Sequence, residues 1–162
     1  MTAILVSKEK NMSICTFFGH RKCCKDIDDI LAKTIIELIG KGVDLFYVGN
    51  QGDFDRKAIS ILKKLSVEYP DIKYFVVLAY FPLNKESSEF CSVYPTVIPV
   101  GIENVFPSYA IYWRNNWMLD KADFVVTYVN KSYGGASKFA EKALKKGKKV
   151  INLADKNNLL SE

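Results

Sequence analysis

The sequence predicts an α/β fold: an open, doubly wound parallel sheet of about five strands with helices on both faces. Three observations predict it. Short apolar and β-branched runs alternate along the chain with segments of helical periodicity. Most of those runs are continuous rather than alternating in polarity, the pattern of strands buried on both faces. Glycine-bearing turns follow several of the runs, where open sheets of this class carry their ligand loops.

The predicted strands are residues 13–18, 44–48, 72–78, 124–128 and 149–152. Between them run four helical stripes. Ile27, Ile30, Leu31, Ile35 and Leu38 form the first, which ends at the glycine cap Gly40-Lys41-Gly42. Ala58, Ile59, Ile61, Leu62 and Leu65 form the second, stopped before Pro70. Ile111, Arg114, Asn115 and Met118 share a face of the third, and Ala136, Phe139, Ala140, Ala143 and Leu144 make the fourth. Right-handed crossovers give the strand order 3-2-1-4-5, with a ligand crevice between strands one and four, where the order reverses. Residues 79–107 carry Pro82, Pro95, Pro99 and Pro107 and read as a long connection.

The 162 residues suit one domain spanning 1–162, and 49% hydrophobic with 25% charged residues is ordinary for a globular chain. No apolar run is long enough for a membrane span, and the apolar stretch within Met1 to Lys10 is too short for a signal-peptide core. A cytoplasmic location is therefore expected, with no membrane partner. Four cysteines (Cys15, Cys23, Cys24 and Cys91) and one histidine, with no C-x-x-C pair, argue against a zinc site or a disulfide framework. No metal and no cofactor are expected. Cys15 reads as a small core residue, and Cys23 and Cys24 as loop residues. The net charge of +5 draws on Lys138, Lys142, Lys145, Lys146, Lys148 and Lys149. A lysine face on a helix is ordinarily solvated surface, so nucleic acid is not expected as a partner, whereas an anionic small ligand fits the charge.

The candidate site is what the turns place at the carboxyl ends of the strands. Gly19-His20-Arg21 follows the first strand, and Gly49-Asn50-Gln51-Gly52-Asp53-Phe54-Asp55 the second. Ser132-Tyr133-Gly134-Gly135-Ala136-Ser137 follows the fourth and opens a helix, so its backbone N–H groups suit a phosphate. Arg21 can pair with that phosphate. His20 can donate to it or serve as an acid or base, although a lone histidine beside a glycine ordinarily fixes a loop. One of Asp53 and Asp55 is expected to cap the following helix, leaving the other, or Asn50, for ribose hydroxyls. Arg114 lies on the apolar face of its helix, and a buried guanidinium needs a carboxylate or a bound anion. Glu141 falls at the edge of the polar face of its helix and reads first as the partner of Lys145 in a solvated i, i+4 pair.

These segments together resemble the SLOG superfamily of Rossmann-like nucleotide-binding proteins, in particular its YpsA-like branch. The carrying residues are Thr16-Phe17-Phe18-Gly19-His20-Arg21, Phe46-Tyr47-Val48-Gly49 with Gly52-Asp53-Phe54-Asp55, Arg114-Asn115-Asn116-Trp117-Met118, and Gly134-Gly135. The resemblance implies a three-layer Rossmann-like sheet and a nucleotide ligand. It extends to the LOG phosphoribohydrolases, which cleave the N-glycosidic bond of nucleoside monophosphates. Arg114 and Met118 match the spacing of their Arg-Lys-x-x-Met motif, with Asn115 at the lysine position. Gly134, Gly135 and Glu141 match Pro-Gly-Gly-x-Gly-Thr-x-x-Glu, while Tyr133, Ser137 and Lys138 depart from it. By resemblance Arg114 and Glu141 form a catalytic pair.

The expected function is binding of a phosphorylated nucleoside or ADP-ribose-like nucleotide, as sensor or carrier; the alternative is LOG-type hydrolysis. The expected nucleotide-binding residues are Gly19, His20, Arg21, Gly49, Asn50, Gly52, Asp53, Asp55, Arg114, Asn115, Met118, and Gly134 through Ala136, Ser137 and Lys138. Homo-oligomerisation through Trp113 and Trp117 is also expected.

Overall fold

The computed structural model describes residues 12–22 and 26–155. The loop cysteines Cys23 and Cys24 and the stretch Met1 to Lys10 lie outside them. Six strands form one sheet in the order β4-β3-β2-β1-β5-β6, and every neighbouring pair is parallel. The strands are β1 (Ser13–Gly19), β2 (Val43–Val48), β3 (Lys73–Val77), β4 (Thr96–Val97), β5 (Phe124–Tyr128) and β6 (Lys149–Asn152). The helices are α1 (Asp28–Gly40), α2 (Asp53–Glu68), α3 (Lys85–Val93), α4 (Ala110–Lys121) and α5 (Gly135–Lys145). This is a three-layer Rossmann-like fold.

The layers follow from alternation along strands that are apolar on both faces. Phe17, Phe46, Val76 and Val126 point into a core shared with Leu31, Ile35 and Leu38 of α1 and Ala58, Leu62 and Leu65 of α2. Their neighbours Phe18, Val77 and Val125 point the other way, onto Met118 and Leu119 of α4 and Phe139 and Ala143 of α5. A slip of one residue in any strand would exchange the two cores, so the register is fixed from both sides. Truncating a fully buried ring such as Phe17 would cost about 3–5 kcal/mol. Helix α1 closes as its glycines predict: Gly42 sits at φ +98°, and its N–H donates to the Ile39 carbonyl.

Two expectations change. The sheet has a sixth strand, because residues 79–107 are not a bare connection. They contain α3, whose first turn is capped by the Asn84 side chain, and the short β4, which extends the sheet beside β3. Neither Asp53 nor Asp55 is the N-cap of α2; Gly52 is, at φ +98°. A Cβ there would lie 2.5 Å from the Arg21 Cα, so a side chain cannot occupy the cap. The order reversal falls between β1 and β5, with α1 and α2 on one face and α4 and α5 on the other.

Candidate functional site

Four segments meet above the order reversal. The β1 and β2 turns are locked together through glycines. A Cβ on Gly19 would stand 2.2 Å from the Phe54 ring, and the Asp53 N–H donates to the Arg21 carbonyl at 2.8 Å. Gly19 and Gly52 therefore serve close packing of loop on helix. Gly134, at φ +96°, and Gly135 differ: nothing lies within 4 Å of where their Cβ atoms would be. The start of α5 is open on that side. Its first intrahelical bond is the Lys138 N–H to the Gly134 carbonyl, so the N–H groups of Gly135, Ala136 and Ser137 lie in the first turn without intrahelical acceptors.

That open turn forms one wall of a cleft of about 380 Å³. Gly19, His20 and Arg21 form another wall, and Arg114, Asn115 and Met118 of α4 a third. Asp55 closes the cleft from α2. Ten of the expected residues thus meet in one place. The others do not line it. Gly49 lies behind Asp55 and Arg114; Gly52 belongs to the turn packing; Asp53 pairs with Arg56. Asn50 lines a neighbouring cavity and accepts from Arg114. Ser137 and the exposed Lys138 fall outside the lining. Glu141 is exposed and ion-paired with Lys145 at 3.0 Å, away from the cleft.

Arg114 is 1% exposed. One Nη donates to the Val77 carbonyl at 2.7 Å and to Asn50 Oδ1 at 3.3 Å, while Nε donates to Asn115 Oδ1 at 2.9 Å. Burial pulls its pKa down, and the nearby Asp55 carboxylate pushes back. Asp55 accepts from the Gln51 N–H at 2.8 Å. Burial raises the Asp55 pKa to about 6, against the opposing pull of that hydrogen bond and of Arg114. His20 Nε2 accepts from the Asn130 N–H at 3.2 Å, which is the loop-fixing role. Burial and the charge of Lys131 hold its pKa below the usual value.

Sequence reasoning missed Gln51, which lines the cleft. It belongs to the turn after β2, but as an uncharged amide it carries no signal that singles it out. The second cavity, of about 510 Å³, has no counterpart in the sequence reading, because it is built on α3, inside residues 79–107, which read as a long connection. Asn84 three residues before Ser87, a helix-capping pattern, was the available signal. The two tryptophans expected at a contact between copies are half-buried within the chain. Trp117 meets Tyr47 edge-on, and Trp113 packs beside the Ile102 and Ala110 cluster. Among the described residues, no helix is long and apolar enough to cross a membrane, and no group of three His, Cys, Asp or Glu side chains could hold a metal ion.

No protein family and no curated protein matches the chain. Solved structures do. DNA processing protein A from Streptococcus pneumoniae superposes with a TM-score of 0.62 at 17% identity, covering 86% of this chain and 49% of its own. DNA processing protein A from Helicobacter pylori gives 0.60 at 12% identity, covering 85% of this chain and 63% of its own. The chain thus spans about half to two thirds of these proteins, and at such identities the likeness is one of fold. The H. pylori structure describes a single-stranded DNA binding mode. This corrects the expectation that nucleic acid is not a partner: a lysine-rich surface reads as plain solvated surface in a sequence, but a protein of this same fold binds DNA.

Proposed function

We propose that the chain binds the phosphate of a nucleotide in the cleft, and that the nucleotide is a unit of single-stranded nucleic acid. One observation carries the reading: the unobstructed first turn of α5 opens into the cleft that also holds Arg114 and Asp55. Backbone N–H groups at a helix start suit an anion without needing any particular side chain. The strand reading draws on the fold neighbour that binds DNA and on the cleft surroundings. Arg21 is exposed at the edge. Tyr133 is 69% exposed, with Lys131 Nζ 5.9 Å from its ring centroid. Exposed rings beside cations are how sequence-tolerant single-strand sites hold bases and backbone.

A second reading is a free phosphorylated nucleoside or ADP-ribose-like ligand, held by a sensor or carrier of the YpsA-like branch. The enclosed pair of Asp55 and Arg114 favours it, because a ribose offers hydroxyls to both. LOG-type hydrolysis has less support, since Glu141 stands outside the cleft and is occupied by Lys145.

The test is fluorescence anisotropy with a labelled thymidine oligonucleotide, alongside calorimetry with AMP and ADP-ribose. Strand binding that weakens at least about tenfold in Gly135→Asp, and that falls with salt, supports the first reading. Strand affinity unchanged by Gly135→Asp overturns it. Binding of AMP or ADP-ribose without strand binding selects the second reading.

A further inference from the structure

The larger cavity adjoins the cleft and has no role in the reading above. Its floor is apolar, with Ile59 of α2, Leu78 after β3 and Phe90 of α3. Tyr80 and Phe81, 47% and 48% exposed, stand at its rim. Tyr80 is fixed there, because its hydroxyl donates to the Pro107 carbonyl at 2.9 Å. At about 510 Å³ it falls in the range of small-molecule sites, roughly 300–1,000 Å³.

Asn50 joins the two spaces. It lines the cavity, while its Oδ1 accepts from Arg114 and Gln51, which line the cleft. Both bonds use the oxygen, so the amide nitrogen donates to nothing among the described residues. An aromatic rim, an apolar floor and one uncommitted amide donor are the recognition set for a nucleobase: faces to stack on and an edge acceptor to meet.

Strand spacing sets the length of the occupant. The phosphate turn follows β5 and the cavity wall follows β3, with β1 and β2 between them. Three spacings of about 4.8 Å put the two features roughly 14 Å apart across the sheet. A single nucleotide is too short to place its phosphate at one end and its base at the other.

We propose that the second cavity is a base-binding subsite, and that the ligand is two linked nucleotide units, with a phosphate on the α5 turn and the neighbouring base between Phe81 and α3. This rests on the cleft reading and extends it. The two units can come from a free dinucleotide or from consecutive residues of a strand.

The test compares, by calorimetry, AMP, a 5′-phosphorylated adenine dinucleotide and an adenine decamer on the full chain. The dinucleotide is expected to bind at least about tenfold tighter than AMP, the value of one stacked base. Phe81→Ala, which removes an exposed ring, and Ser87→Trp, which fills the cavity from its rim, are each expected to abolish that advantage. A further gain for the decamer assigns the strand as source, and equal affinity assigns the dinucleotide. Alkylation of Cys91, a free thiol in the cavity lining, read on its peptide by mass spectrometry, is expected to slow with the dinucleotide and not with AMP. Equal binding of AMP and dinucleotide overturns this proposal alone, as does a tenfold advantage that survives both variants. Absence of binding by all three ligands overturns the cleft reading and this extension together.

Discussion

Asp55 and Arg114 face each other across Gly49 without touching. The point where a Gly49 Cβ would sit is 2.9 Å from Asp55 Oδ2 and 3.1 Å from the Arg114 guanidinium. No ion pair within 4.0 Å joins them among the described residues. Arg114 donates through Nε to Asn115 and through one Nη to Val77 and Asn50, and Asp55 accepts from Gln51. The two charges are therefore held close and separately anchored, and both border the cleft. Such a pair feels any charge that enters between them.

Burial raises the Asp55 pKa from 3.8 to about 6 in the folded chain. The folded state then keeps a proton that the unfolded state has lost between about pH 4 and 6. Stability from this group is full below pH 4 and is lost as pH rises through 6. Chemical denaturation of the wild type and Asp55→Asn across pH 4–8 is expected to show the wild type losing stability relative to the variant over that window. A constant difference between them would show that Asp55 does not titrate there.

The glycines separate packing from binding. Gly49→Ala forces a methyl between Asp55 and Arg114 and is expected to cost about 1–3 kcal/mol. Gly135→Ala has open space and a helical position, so its stability is expected to stay within about 0.5 kcal/mol of wild type or rise. Thermal melts of the two check this directly. Equal losses would mean that the α5 turn is as crowded as the β2 turn.

The fold was legible because its signals are repeated. Each of β1, β2, β3 and β5 carries an apolar run, and Phe17 with Phe18 already shows that both faces are buried. Helix α3 and the two-residue β4 were not, because α3 buries no residue fully and so shows no clean apolar stripe. At the site, the sequence order brought His20, Arg114 and Gly134 to one edge. It did not distinguish Gly134, which faces open space, from Gly19, which faces the Phe54 ring. That distinction depends on contacts between turns far apart in the chain. The same holds for Asp55, which faces Arg114 of α4, far away in the chain, across Gly49.

Thr127 gives a prediction independent of any ligand. It is fully buried in β5, and its hydroxyl has no hydrogen-bond partner among the described residues. Valine has the same shape without the unmet polar group. Thr127→Val is expected to stabilise the chain by about 1 kcal/mol, or roughly 2–4 °C in melting temperature. A lower melting temperature would reveal a partner for the hydroxyl.

Arg114 and Glu141 were paired by resemblance, and their surroundings predict opposite behaviour. Arg114→Ala empties the space of a large, fully buried side chain and leaves its three hydrogen-bond acceptors without their donor. A loss of about 3–5 kcal/mol is expected, with nucleotide binding lost as well. Glu141→Gln disturbs only an exposed i, i+4 pair, so stability is expected to change by less than about 0.5 kcal/mol. Because the Glu141 carboxylate lies outside the cleft, strand and AMP affinities of Glu141→Gln are expected to match wild type. Denaturation curves and binding isotherms for both variants decide the matter. A binding defect or a loss of base release in Glu141→Gln would require the carboxylate to swing from Lys145 into the cleft, and would restore the pairing that the resemblance implies.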